Sequence, residues 1–231
     1  GASGADHVIT RLSGLEEALR MGLPLPEGKL PNDLLARFLE ELRFEDPSVV
    51  VGPGTGEDTA VLDPDGAELL VVTSDPVTFA TDAAGLYAVA VNANDLATSG
   101  AVPRWLVTTL LLPCGTTPSE VRSKMEDLAS ECRRLGIFPC GGHTEITPSV
   151  NQPVIVGTML GTLSRPSLVD KKRMRPGDAL LMTKSAGLEG TAIAAREFPE
   201  RLRQGGLSDP AIERCAGLLA SISILTEAKA A

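Results

Sequence analysis

The sequence predicts an α+β fold in which helices cover one face of a sheet. Three observations carry this. Periodicity up to residue 164 reads β–β–β–α–β–α–β–β, an order typical of segregated sheet-and-helix architectures. Apolar residues make up 43% of the 231 residues but aromatics only 3%, so the core must be aliphatic. One helical stretch, 82–101, carries no Lys, Arg or Glu, so it is expected to be buried almost all round. The sheet's other face has no covering element in the sequence and, if apolar, would want a second subunit.

The elements follow in order. Residues 1–28 are amphipathic, with Leu12, Leu15, Ala18 and Leu19 at helical spacing, and end in the proline-broken "GLPLPEGK". "PNDLLARFLEEL" (31–42) is a helix with Pro31 in its first turn. "SVVVG" (48–52), "TAVLD" (59–63) and "ELLVVTSD" (68–75) are strands, the last two joined by the turn "PDGA". Helix 82–101 ends near Gly100, and "RWLVTTLLLP" (104–113) is a strand. Helix 117–136 opens on Thr117 and Pro118 and closes on Gly136. "IFPCGGHTE" (137–145) and "PVIVGTMLGTLS" (153–164) are strands. After 165 the composition changes: basic residues cluster at 171–175, and "RPGD" is a turn expected to start a new strand. Stretches 187–199 and 210–231 read as helices. The expected organisation is an N-terminal extension (1–28), a main domain (29–164) and the start of a second domain (165–231).

Charge narrows the partners. The net charge is −9, and the ten acids between Phe44 and Pro103 have no Lys or Arg among them. The rest of the chain is therefore net +1. Such an acidic balance argues against nucleic-acid backbones as partners. The acid-rich stretch requires bound metal or cations brought from elsewhere in the chain. The four cysteines form no C-x-x-C pair, and no apolar run reaches membrane-spanning length, so a reduced, cytoplasmic protein is expected.

The chemistry gathers in that stretch. "GPGTGEDTAVL" (52–62) is a glycine turn followed by Glu57 and Asp58 and then a strand. It is neither a lysine-bearing phosphate loop nor a dinucleotide turn. Its carboxylates change its meaning, because magnesium is commonly held by one or two carboxylates together with substrate phosphates. Asp75 ends an apolar strand, where ligand-lined crevices form, although a turn aspartate is the plainer alternative. Asn92, Asp95 and Ser99 fall on one side of helix 82–101, and a buried Asp95 would need a partner. In "CGGHTEIT" (140–147), Gly141 and Gly142 repeat the glycine theme. His143 there is a base, a metal or phosphate contact, or a core histidine, and Cys140 reads as a buried strand cysteine. Gly187 and Gly190 open a helix just after Lys184, a candidate anion site. The run Lys171–Arg175 could bind phosphate, but reads more simply as a solvated linker.

Taken together and in order, "GKLPNDLL", "VGPGTGEDTAVL", "TSDPVTF", "NDLATSGAVPRWL", "GGHTEITP" and "GDALLMTKSAGLEGTAI" resemble the AIR synthase (PurM-like) superfamily over about 29–231. Its HypE and AIR synthase-related branches are the nearest in look. The resemblance implies an N-terminal α+β domain that dimerises through its sheet, often into a barrel, and an α/β domain after it. It also implies ATP and Mg²⁺ used to phosphorylate a substrate or activate an amide-type oxygen. Carried over by motif, Asp58, Asp75 and Asp95 match the metal carboxylates, with Asp95 and His143 in catalytic positions. Gly54, Gly56, Asn92, Gly141, Gly142, His143 and Lys184 then line the nucleotide. The chain departs from the pattern at His143, where relatives place Asp or Glu, with Glu145 a possible substitute. It also lacks a later glycine motif, as a truncated second domain would, and the cysteine tail of HypE. The resulting expectation is a HypE-like ATP- and Mg-dependent enzyme. The alternatives are a small-molecule kinase of the thiamine-monophosphate kinase type, or a non-catalytic dimeric nucleotide-binding or maturation module with a protein partner.

Overall fold

Runs of β-branched residues set the sheet. The computed structural model describes residues 32–41, 46–80 and 82–230. Two compact units are present, 1–44 and 45–231. In the first, helix α1 (Asn32–Glu41) forms where the sequence predicts it. The expectation for 1–28 lies outside the described residues.

The second unit contains β1 (Val49–Val51), β2 (Ala60–Leu62), β3 (Glu68–Val77), α2 (Ala84–Thr98), β4 (Val102–Leu112), α3 (Pro118–Leu135), β5 (Phe138–Ile146) and β6 (Val154–Ser164). Helices α4 (Leu188–Glu197), α5 (Pro199–Gln204), α6 (Asp209–Gly217) and α7 (Leu225–Ala230) follow. The strand order is β1-β2-β3-β6-β4-β5. Each neighbouring pair is antiparallel except β4–β5, which is parallel. A parallel pair needs a crossover, and α3 supplies it. Its ends are well determined: Thr117 and Glu120 form a reciprocal capping box, and Gly136 closes the helix in the left-handed region. The "PDGA" turn joins β2 to β3 as an antiparallel hairpin.

Alternation along β3 and β6 decides which face is covered. Leu69 and Val71 on β3 and Ile155, Met159 and Leu163 on β6 are buried against the core, while Leu70, Val72, Val156, Thr158, Leu160 and Thr162 on the other face are only partly covered. Each such aliphatic side chain contributes about 1.5–3 kcal/mol on burial. Helix α2 provides Ala84, Ala88, Val89, Ala93 and Leu96 to this core. Its opposite flank gives Tyr87 and Ala90 to a second core with Ala80, Ala192, Leu219 and Ile222. The expectation of a helix buried nearly all round is met.

Three expectations need correction. The strand after "RPGD" does not form: Leu180 and Leu181 are 98% and 88% exposed, because no described strand lies beside them to pair with. The helix expected at 210–231 is broken into α6, a 3₁₀ turn at Leu218–Ser221, and α7. Cys140 is exposed rather than buried, because every residue of edge strand β5 remains open.

Candidate functional site

The site is assembled where β3 outruns β2. Ala60, the first residue of β2, pairs with Val72, so β3 continues past its neighbour through Thr73 to Val77. Thr73 points inward and is buried. Its hydroxyl lies 2.9 Å from the Asp58 carbonyl oxygen, to which it donates, and 3.3 Å from Asp95 Oδ2. One threonine thus ties the residue after the glycine turn to the carboxylate of α2. Asp95 is half-buried, and Asp58 is exposed.

Asn92 lies one turn earlier on α2 and is fully buried. Its Oδ1 accepts the Asp75 N–H at 3.0 Å, and its Nδ2 donates to the carbonyls of Asp75 (3.3 Å) and Ala88 (2.8 Å). The side-chain amide is therefore spent on holding Asp75 in place. Gly157, across the ladder from Asp75, makes room for this. A Cβ there would lie 2.5 Å from Asn92 Nδ2.

The glycine turn closes with the Glu57 N–H donating to the Gly54 carbonyl at 3.1 Å. Lys171 reaches it from 115 residues along the chain, donating to the Gly56 carbonyl. Lys171 Nζ also pairs with Glu57 at 2.9 Å. Lys171 is anchored here, while Lys172, Arg173 and Arg175 remain exposed, as a solvated linker would. Glu189 lies in the first turn of α4. Its residue keeps an exposed surface, yet the atoms packed around its carboxyl raise its pKa above the ordinary range, and the charge of Asp75 raises it further.

The structure thus sets Gly54, Gly56, Asp58, Asp75 and Asp95 around Thr73, whereas Asn92, fully buried with its amide used on Asp75 and Ala88, supports Asp75 from beneath and does not line a nucleotide as expected. It does not bring Gly141, Gly142 and His143 to them. These lie on β5, three strand spacings or roughly 14 Å from β3. His143 is exposed, with its Nε2 3.3 Å from Glu145, so it is not a core histidine. The three residues border a separate groove of about 330 Å³ beside Met125 and Leu128. Lys184 is also elsewhere: its ammonium donates to the Ser221 and Ser223 carbonyls and pairs with Glu227 at 3.0 Å.

Sequence reasoning missed Thr73, Glu189 and the reach of Lys171. Thr73 is a polar residue at an inward position of an apolar strand, which is a readable signal. Glu189 sits inside "GLEGT", where only the glycines drew notice. Nothing local marks Lys171.

Among the described residues no three His, Cys, Asp or Glu converge closely enough to hold a metal by themselves. The donor set suits an ion that arrives with other oxygens. Magnesium bound through one or two carboxylates plus phosphates fits that description.

Residues 56–163 match the family model described as AIR synthase related protein, N-terminal domain. Selenide, water dikinase of Carboxydothermus hydrogenoformans is 27% identical over 164 residues, covering 69% of this chain and 47% of that protein. The chain spans about half the length of the curated relatives it matches. The solved structure of AaThiL complexed with AMPPCP and TMP aligns with a TM-score of 0.65 over 96% of this chain and 64% of that one, at 20% identity. The structure of hydrogenase maturation protein HypE in complex with ATP aligns at 0.52 over 79% of this chain and 52% of that one, at 25% identity. The fold is a mixed α/β PurM-like fold with a six-stranded sheet.

Proposed function

We infer, from the premise that residues 56–163 are an AIR synthase related N-terminal domain, that this chain is the nucleotide-binding part of an ATP-using enzyme of the HypE-like type. Its reaction would phosphorylate or activate an oxygen of its substrate. The observation that carries this reading is the Asp58–Thr73–Asp95 contact beside the glycine turn, with Asp75 locked next to it by Asn92. Bound Mg-ATP would supply a transferable phosphoryl group, and its magnesium would supply the positive charge that the acid-rich stretch lacks.

The chain's own residues would do the positioning. Asp58, Asp75 and Asp95 are the proposed magnesium carboxylates. Thr73 holds the Asp58 carbonyl and the Asp95 carboxylate, and Asn92 holds the Asp75 backbone, which would lower the reorganisation needed on binding. Backbone groups of Gly54 and Gly56 would face the phosphates. The partly covered outer face of the sheet, with Trp105 and Val107 each 37% exposed, is the proposed homodimer contact.

Calorimetry with ATP, with and without Mg²⁺, tests the reading. Binding that requires Mg²⁺ and falls at least about tenfold in Asp95→Asn is the expected result, with phosphate release in the wild type only. No ATP binding by the wild type would remove the proposal. Binding without turnover in any condition would favour the non-catalytic module.

A further inference from the structure

We propose that Lys171 is the phosphate-facing cation of the nucleotide site, a positioning residue delivered by a strap that crosses the acidic hairpin. This role rests on the nucleotide reading above. Four contacts fix where the lysine starts. Arg165 pairs with Asp63 at the base of the β2–β3 turn. The Val169 N–H donates to the Ser99 carbonyl at 3.0 Å. Gly100 allows the strap to pass close to the end of α2: its φ is +85°, and a Cβ there would lie 2.7 Å from the Ser167 carbonyl oxygen. The Asp170 side chain accepts the Lys172 N–H at 2.9 Å, capping the short turn that presents Lys171.

From that anchored origin Lys171 Nζ reaches Glu57 and the Gly56 carbonyl, immediately before Asp58. The stretch from Phe44 to Pro103 has no base of its own, so any side-chain cation at the glycine turn must come from elsewhere in the chain. Fold stability accounts poorly for the arrangement. The Lys171 side chain is 42% exposed, and a pair so open to water contributes only about 0–1 kcal/mol. A polyphosphate outcompetes one carboxylate for an ammonium, and the four-carbon stem lets the ammonium swing a short way without moving the strap. In the free protein Glu57 holds the lysine's place. In the bound protein the terminal phosphates take it over.

The two partners of the ion pair should therefore respond in opposite directions. Affinities of ATP, ADP and AMP for wild type, Lys171→Met and Glu57→Gln are measured by calorimetry with Mg²⁺, alongside the ligand-free melting temperature of each. Lys171→Met is expected to weaken ATP at least about tenfold and AMP less than about threefold. Glu57→Gln, which releases the lysine, is expected to bind ATP as tightly as wild type or more tightly. Both variants should melt within about 2 °C of wild type. If Lys171→Met binds ATP like wild type, the role is overturned while the nucleotide reading stands. It is equally overturned if both variants weaken ATP alike, because the pair is then only a latch. If wild type binds no nucleotide, both readings fail together.

Discussion

The carboxamide of Asn92 meets both main-chain groups of Asp75, accepting from its N–H at 3.0 Å and donating to its carbonyl at 3.3 Å. Beyond the end of β2, a side chain does for Asp75 what a neighbouring strand does for residues inside the ladder. Replacing Asn92 with Leu keeps the volume but leaves two buried backbone groups without partners. At about 1–3 kcal/mol for each such group, Asn92→Leu should lower unfolding free energy by about 3 kcal/mol in urea titrations. A loss under about 1 kcal/mol would show that water reaches these groups.

Gly157 tests the same contact from the opposite side. Its missing Cβ is the space that Asn92 Nδ2 occupies. Gly157→Ala should cost about 1–3 kcal/mol through overpacking, and it should weaken nucleotide binding because Asn92 must shift. Full stability with normal binding would mean that the helix moves aside freely.

Tyr87 is the chain's single tyrosine, and it is 1% exposed. Its hydroxyl has no hydrogen-bond partner among the described residues. Burial pushes its pKa up to about 12, opposed by Arg196 and reinforced by Glu189, Asp82 and Glu197. The unfolded chain releases this proton near pH 10, so between about 10 and 12 only the unfolded state is deprotonated. Stability should therefore fall across that window as pH rises. Tyrosinate absorbance of the folded protein should have its midpoint close to 12. Tyr87→Phe should abolish this alkaline loss and raise stability at neutral pH by about 1–2 kcal/mol, since it removes an unpaired buried hydroxyl.

The cysteines should separate by reactivity. Cys114 and Cys140 are exposed, whereas Cys132 is buried with its pKa raised to about 11 by burial and then by Glu131. A thiol reagent at pH 8 should label Cys114 and Cys140 in the native protein within minutes and Cys132 only on unfolding. Rapid native labelling of Cys132 would contradict the packing of α3.

Much of the fold is legible because single positions carry strong local signals. Thr117, Pro118 and Gly136 set the limits of α3, and the uncharged stretch of α2 announces its burial. The contact between the Asp58 backbone and Asp95 is partly legible, because Asp95 lies on the inner side of a helix whose period is clear; Asp75, read as the end of its strand, lies within it, since β3 runs on to Val77. Distance in the chain hides the rest. "GDALLMTK" reads as a strand by composition, yet composition cannot supply the neighbour that a strand needs. The contact between Lys171 and Glu57 is likewise invisible until the strap is seen to cross the hairpin. Placing His143 with the acids fails because strand order, and not motif similarity, sets which residues meet.

Helix α2 lends one flank to each of two apolar clusters, so neither cluster can come apart without stripping cover from residues that belong to the other. Residues 45–231 should consequently behave as one cooperative block. Heat should melt sheet and C-terminal helices in a single transition, with calorimetric and van't Hoff enthalpies in agreement. A nick in the exposed 178–183 segment should leave the two pieces bound to each other until that temperature is reached.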